Sequence, residues 1–108
     1  MLVHIPQDRF PAQALTCALY LEGGIRGVEI GGLMFGTPDE ATGKWTWPEL
    51  ELVRLAVPRR VYTDAHLDHV VDACAALLAR REKIRGLRIV SRAPVLPHFT
   101  ARLEPIAK

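Results

Sequence analysis

The chain has 108 residues, 49% of them hydrophobic, and carries 14 Lys and Arg against 12 Asp and Glu for a net charge of +2. That length allows a single domain with a modest core, and the scattered, nearly balanced charge excludes a broad basic surface, so nucleic acid is not an expected partner. No basic n-region precedes an apolar stretch at the start, and no run approaches the roughly eighteen apolar residues of a membrane span, so neither a targeting segment nor a membrane partner is expected.

Phe10 to Glu22 reads as a first helix, with Pro11 suited to the first turn, Ala14, Leu15, Ala18 and Leu19 at helical spacing, and Gly23-Gly24 able to end it. Gly27 to Gly36 reads as a strand interrupted at Gly31-Gly32 by a bulge or a close backbone approach. Thr37 to Lys44 is dense in turn formers and reads as an exposed loop. It leads through Trp45, Trp47 and Pro48 into a second strand, antiparallel to the first.

That second strand, within Glu51 to Thr63, holds the most informative residue, Arg54. Val53, Leu55 and Val57 alternate onto one face, while Leu52 and Ala56 share the other with Arg54. A guanidinium flanked by apolar neighbours on a buried strand is desolvated unless an anion meets it. On residue physics an internal ion pair, a snorkelling surface arginine and a ligand clamp all stay open.

Thr63 can cap a long helix, in which Leu67, Val70, Val71, Cys74, Leu77 and Leu78 recur at three and four residues until Lys83, Arg85 and Gly86 close it. Leu87 to Ser91 alternates as a third strand. Phe99 to Leu103 reads as a fourth, after a proline-bounded turn at Pro94 to Pro97. The order helix, strand, strand, helix, strand, strand predicts an α+β two-layer sandwich, a short mainly antiparallel sheet with helices on one face. Cys17 and Cys74 fall among apolar residues with no metal-type spacing, which predicts buried, reduced thiols and a cytoplasmic location.

His66, His69 and Asp72 sit at helical spacing, but the wheel puts His69 and Asp72 opposite the apolar stripe. A solvated face is favoured over a metal site. Gly23 to Gly27 end a helix where a phosphate loop would open one, which argues against a nucleotide site. His98 beside Phe99 offers a proton-transferring ring next to an aromatic one, although a lone histidine is as readily a hydrogen-bonded structural residue. Trp45 and Trp47 read as covering one edge of the core and Arg59-Arg60 as a solvated or ion-paired strand exit. No paired carboxylates, Ser-His-Asp set or P-loop can be read.

Five segments carry a resemblance: Phe10-Pro-Ala-Gln-Ala-Leu15, Gly24-Ile-Arg-Gly-Val-Glu-Ile-Gly31, Val53-Arg-Leu-Ala-Val-Pro-Arg59, Tyr62-Thr63 and His98-Phe-Thr-Ala-Arg102. Together, from about Pro6 to near the C-terminus, they resemble the C-terminal part of the aromatic amino-acid β-eliminating lyases, the tryptophanase and tyrosine phenol-lyase family. The resemblance implies the small domain of an enzyme of the aspartate-aminotransferase fold type that uses pyridoxal 5'-phosphate and a monovalent cation such as potassium. By that resemblance Arg54 binds the substrate α-carboxylate. Val28, Ile30, His98 and Phe99 line the side-chain pocket, and Ile30 and His98 are the tryptophanase-like choices where phenol-lyases carry arginine and phenylalanine.

The implied reaction converts tryptophan and water to indole, pyruvate and ammonia. None of Lys44, Lys83 or Lys108 matches the Schiff-base lysine, so the chain is expected to be inactive alone, to bind no cofactor or metal, and to lack the large domain that holds them. It then reads as an excised domain, a truncated product or one part of a split enzyme. The family is tetrameric, and the isolated domain is expected to dimerise or aggregate. The competing classes are a non-catalytic α+β binding or interaction module and a fragment of the phenol-lyase type.

Overall fold

The computed structural model describes residues 1–39, 41–58, 60–91 and 101–106. Its order is α1 (Pro11–Gly23), β1 (Val28–Ile30), α2 (Gly32–Phe35), β2 (Thr37–Pro38), β3 (Trp45–Thr46), β4 (Leu52–Arg54), α3 (Asp64–Ala79), β5 (Leu87–Ser91) and β6 (Arg102–Pro105). Single 3-10 turns precede α1 and follow α3. The α+β class holds. Among the described residues the strands form three separate two-stranded antiparallel ladders, β1 with β4, β2 with β3 and β5 with β6.

The first helix forms as its sequence demands. Pro11 needs no amide partner at the first helical position, and Gly24 adopts φ 66° to close the C-terminus, where Gly24 N–H donates to Tyr20 O at 2.8 Å. Ahead of Pro11, Phe10 is held at φ 53°, a left-handed conformation unusual for a bulky side chain. Packing compensates. The Phe10 ring is buried edge-on against Trp45 and Trp47, at centroid distances of 6.4 and 6.0 Å, and the two indoles stack 5.0 Å apart. The tryptophans thus cover an edge of the core, as their position predicted.

The helix α1 is the common partner of the other elements, packing on α3, β1, β4 and β5. Its Ala14 joins Leu2, Ile5 and Leu87 in a buried cluster lined by Leu15, Ile84 and Leu103, while Leu19 is buried with Ala73 and Leu77 of α3. Thr63 and His66 form a capping box at the start of α3, with Thr63 N–H donating to His66 Nδ1 at 2.9 Å. His69 Nε2 sits 2.9 Å from Gly23 O and ties α3 to the end of α1. Both histidines therefore have structural roles.

Several expectations need correction. The Gly27–Gly36 strand stops at Ile30, and its second half is the helical turn α2. The Thr37–Lys44 loop carries the first strand of a small hairpin. The helix α3 ends at Ala79 because Arg80 N–H tightens onto Leu77 O, so Lys83 and Arg85 lie beyond it. The last described strand is Arg102–Pro105, and Phe99 and Thr100, where it was expected to start, lie outside the described residues. Cys17 is exposed because α1 turns its Ala12, Ala14 and Leu19 inward instead, and Cys74 is half-buried because α3 turns Ala73 and Leu77 inward.

The largest correction concerns Arg54, which is exposed together with its face-mates Leu52 and Ala56. A two-stranded ladder covered by α1 on one side leaves the other side open, so the strand is half-buried rather than buried. Among the described residues Leu77 is the one large side chain that is fully buried, at 1% exposure. Leu77→Ala is expected to destabilise the chain by about 2–4 kcal/mol, whereas exposed Val71→Ala stays within about 0.5 kcal/mol, as read from urea unfolding midpoints.

Candidate functional site

The site is built on the β1–β4 ladder. Its register pairs Val28 with Arg54, Glu29 with Val53 and Ile30 with Leu52. Residues directly opposite each other in an antiparallel pair share a face, so Val28, Ile30, Leu52 and Arg54 lie together on the open side. Glu29 and Val53 point the other way, toward α1.

On that inner side Glu29 is the one buried charged residue among the described core, at 4% exposure. Its carboxylate accepts Gly31 N–H at 2.7 Å, Leu33 N–H at 2.6 Å and Met34 N–H at 3.1 Å. The remaining amide of the turn, Gly32 N–H, goes to Glu51 at 2.9 and 3.1 Å to its two carboxylate oxygens. Two carboxylates thus satisfy four successive amides at the start of α2, where the backbone and a helix dipole both favour negative charge. A side chain at Gly31 would collide with the Glu51 carboxylate, which explains glycine there.

Sequence reasoning missed this pair, having found no carboxylates at a common site. The available signal was Glu29 two residues ahead of Gly31-Gly32 on a strand whose alternation turns it inward. Glu51 carries the electrostatic cost. Desolvation by burial, with the Glu29 charge as a smaller contribution, raises its carboxyl above the usual range against the opposing hydrogen bonds from Gly32 and Gln7.

Arg54 makes no ion pair among the described residues, whose two are Arg80–Glu22 and Arg88–Glu104. The internal-ion-pair reading is therefore not the one the structure adopts. What remains is an exposed guanidinium beside three aliphatic side chains, a surface suited to a molecule with a carboxylate at one end and an apolar body. The Ile30–Leu52 pair stands two residues along the ladder from the Val28–Arg54 pair, about 6.6 Å at ordinary strand rise. His98 and Phe99, the other expected pocket residues, lie outside the described residues.

Among the described residues no lysine lies on this face. Lys44 lies in the exposed turn of the β2–β3 hairpin and Lys83 in the 3-10 turn after α3, while Lys108 lies outside the described residues. Among the described residues no cluster of three His, Cys, Asp or Glu side chains could hold a metal ion, and no helix is long and apolar enough to cross a membrane. The described residues of this face thus offer no lysine for a Schiff base with pyridoxal phosphate.

Comparison with known proteins gives a consistent result. The chain is 53% identical over 106 residues to the tyrosine phenol-lyase of Symbiobacterium sp. (strain SC-1), an alignment covering 98% of the chain and 23% of that protein. It is 49% identical over 107 residues to the tryptophanase of Salinibacter ruber, covering 99% of the chain and 22% of the relative. A probable beta-eliminating lyase of Trichomonas vaginalis is 50% identical over 105 residues, covering 96% and 23%. No family model matches. The chain spans less than a quarter of the length of these relatives.

Two measurements test the carboxylate pair. Glu29→Gln leaves one acceptor oxygen for three amides, and an expected loss of about 1.5–3 kcal/mol would appear in urea unfolding. For Glu51 the folded carboxyl is raised, so its penalty is absent well below 4.5 and develops as pH rises from 4.5 through the elevated folded value. The stability of Glu51→Gln relative to the parent chain is therefore expected to improve from pH 4 to pH 7. A difference independent of pH would contradict the assignment.

Proposed function

Because the chain belongs to the tryptophanase and tyrosine phenol-lyase family as a small domain of it, we propose that it is the C-terminal, substrate-closing part of a β-eliminating lyase acting on an aromatic amino acid. The observation that carries this reading is the β1–β4 register, which sets Arg54 on one open face with Val28, Ile30 and Leu52. In this reading Arg54 grips the substrate α-carboxylate through two parallel hydrogen bonds, and the aliphatic residues one ladder step away meet the aromatic side chain. The grip orients the Cα–H bond, which is this chain's contribution to the chemistry.

Pyridoxal phosphate, potassium and the Schiff-base lysine belong in this proposal to a large domain outside this chain. The chain is catalytically incomplete alone. An aliphatic Ile30 favours tryptophan, since an apolar wall suits the indole face and offers nothing to a phenol hydroxyl; His98 and Phe99 are assigned to the same pocket by resemblance. A phenol-lyase assignment is the second reading, favoured by identities of 52% to 53% to tyrosine phenol-lyases against 47% to 51% to tryptophanases.

The test mixes this chain with the large-domain portion of a tryptophanase, pyridoxal phosphate and potassium, and follows indole release from tryptophan beside phenol release from tyrosine. Indole release is expected in the mixture and not from the chain alone. Arg54→Ala is expected to lower kcat/KM at least tenfold, about 1.4 kcal/mol or more. Phenol release in place of indole would select the second reading. An active mixture indifferent to Arg54→Ala would remove Arg54 from the carboxylate site.

A further inference from the structure

Between the end of α1, the segment that follows β4 and the start of α3 lies a cleft of about 410 Å³ that the lyase reading leaves unused. That volume falls within the usual span of small-molecule sites, roughly 300–1,000 Å³. Its apolar lining comes from Ile25, Leu55, Val57, Leu67 and Val70, residues of three segments that only the fold brings together. The rings of Tyr62 and His66 also line it and form an edge-to-face pair, with centroids 5.5 Å apart and planes at 74°.

The polar side chains of the cleft bring donors. His66 Nδ1 accepts the Thr63 N–H at 2.9 Å, so the proton of the His66 ring is on Nε2. His69 Nε2 lies 2.9 Å from Gly23 O, a carbonyl oxygen that can only accept, so His69 donates there and braces α3 against the end of α1. Arg26 adds a guanidinium that is exposed and makes no ion pair among the described residues. No Asp or Glu is among the described residues that line the cleft. A cation and an N–H beside an apolar, ring-bearing cavity that has no carboxylate of its own complement an anion carried on an apolar ring.

We propose that this cleft binds a small aromatic monocarboxylate, its carboxylate held by Arg26 and the Nε2–H of His66 and its ring set against Leu55, Val57 and Val70. The guanidinium fork matches both oxygens of a carboxylate. Both histidines are already tied to the backbone, so little side-chain ordering opposes binding. Arg26 stays in contact with water, which keeps the affinity modest and leaves apolar burial as the larger contribution. Arg54 does not line the cleft, although its neighbours Leu55 and Ala56 do, so the inference stands apart from the lyase reading.

The experiment is a heteronuclear NMR titration of this chain with naphthylacetate and with its uncharged counterpart naphthylacetamide, with circular dichroism to confirm folding of each variant. Saturable shifts centred on the amides of Arg26, Leu55 and Leu67 are expected with naphthylacetate, and binding of the amide is expected to be weaker by about fivefold or more. Arg26→Ala is expected to weaken naphthylacetate by the same factor and to leave naphthylacetamide unchanged, which separates loss of the charge contact from damage to the cleft. Absence of saturable shifts at millimolar ligand overturns the proposal, as does equal binding of acid and amide, a comparison that needs no variant. Equal binding of cyclohexylacetate overturns the aromatic class. Binding lost in Arg54→Ala but retained in Arg26→Ala places the ligand on the β1–β4 face and equally overturns it.

Discussion

The buried carboxylate of Glu29 is the constraint on which the site depends. A carboxylate removed from water is costly unless its oxygens are matched, and here three amides of the Gly31–Met34 turn match them while Glu51 takes the fourth. The chain must therefore leave β1 immediately after Ile30 and turn helically, instead of continuing as a strand. Glycine at 31 and the indole of Trp47 close against Gly32 follow from the tightness of that turn. Ile30 is thereby held between an anchored Glu29 and an anchored Gly31, opposite Leu52.

The same ladder explains why Arg54 is accessible. Two strands by themselves form at best a marginal unit, and β1 and β4 are stabilised by lying on α1, which covers only their inner face. The outer face keeps one cation and three aliphatic side chains in contact with solvent. With a Cα radius of gyration of 14.9 Å against about 13 Å for a compact domain of this length, the chain is extended in a way that leaves such faces open.

The rest of the molecule holds α1 in position. Leu2, Ile5 and Leu87 pack around Ala14 on one side, and Ala73 and Leu77 meet α1 on the other. The strained Phe10 is locked by two indoles, so the chain entering α1 is as firmly fixed as the one leaving it through Gly24.

Helical content was legible in the sequence because its signals are local: Pro11, Gly24, the Thr63 cap and apolar spacing act within a few residues of the helices they specify. Strand alternation likewise put Leu52 and Arg54 on one face. Which face is covered is a different kind of fact, decided by where α1 packs, and this is why Arg54 was expected to be desolvated and is exposed. The placing of Ile30 opposite Leu52, and of Glu29 and Glu51 around one turn, joins residues some twenty positions apart. No period within either segment encodes such a contact. The sequence by itself determined the two long helices α1 and α3, the α+β class and the family resemblance; tertiary structure alone decided the short turn α2 and the site's register and exposure, because these depend on packing between segments distant along the chain.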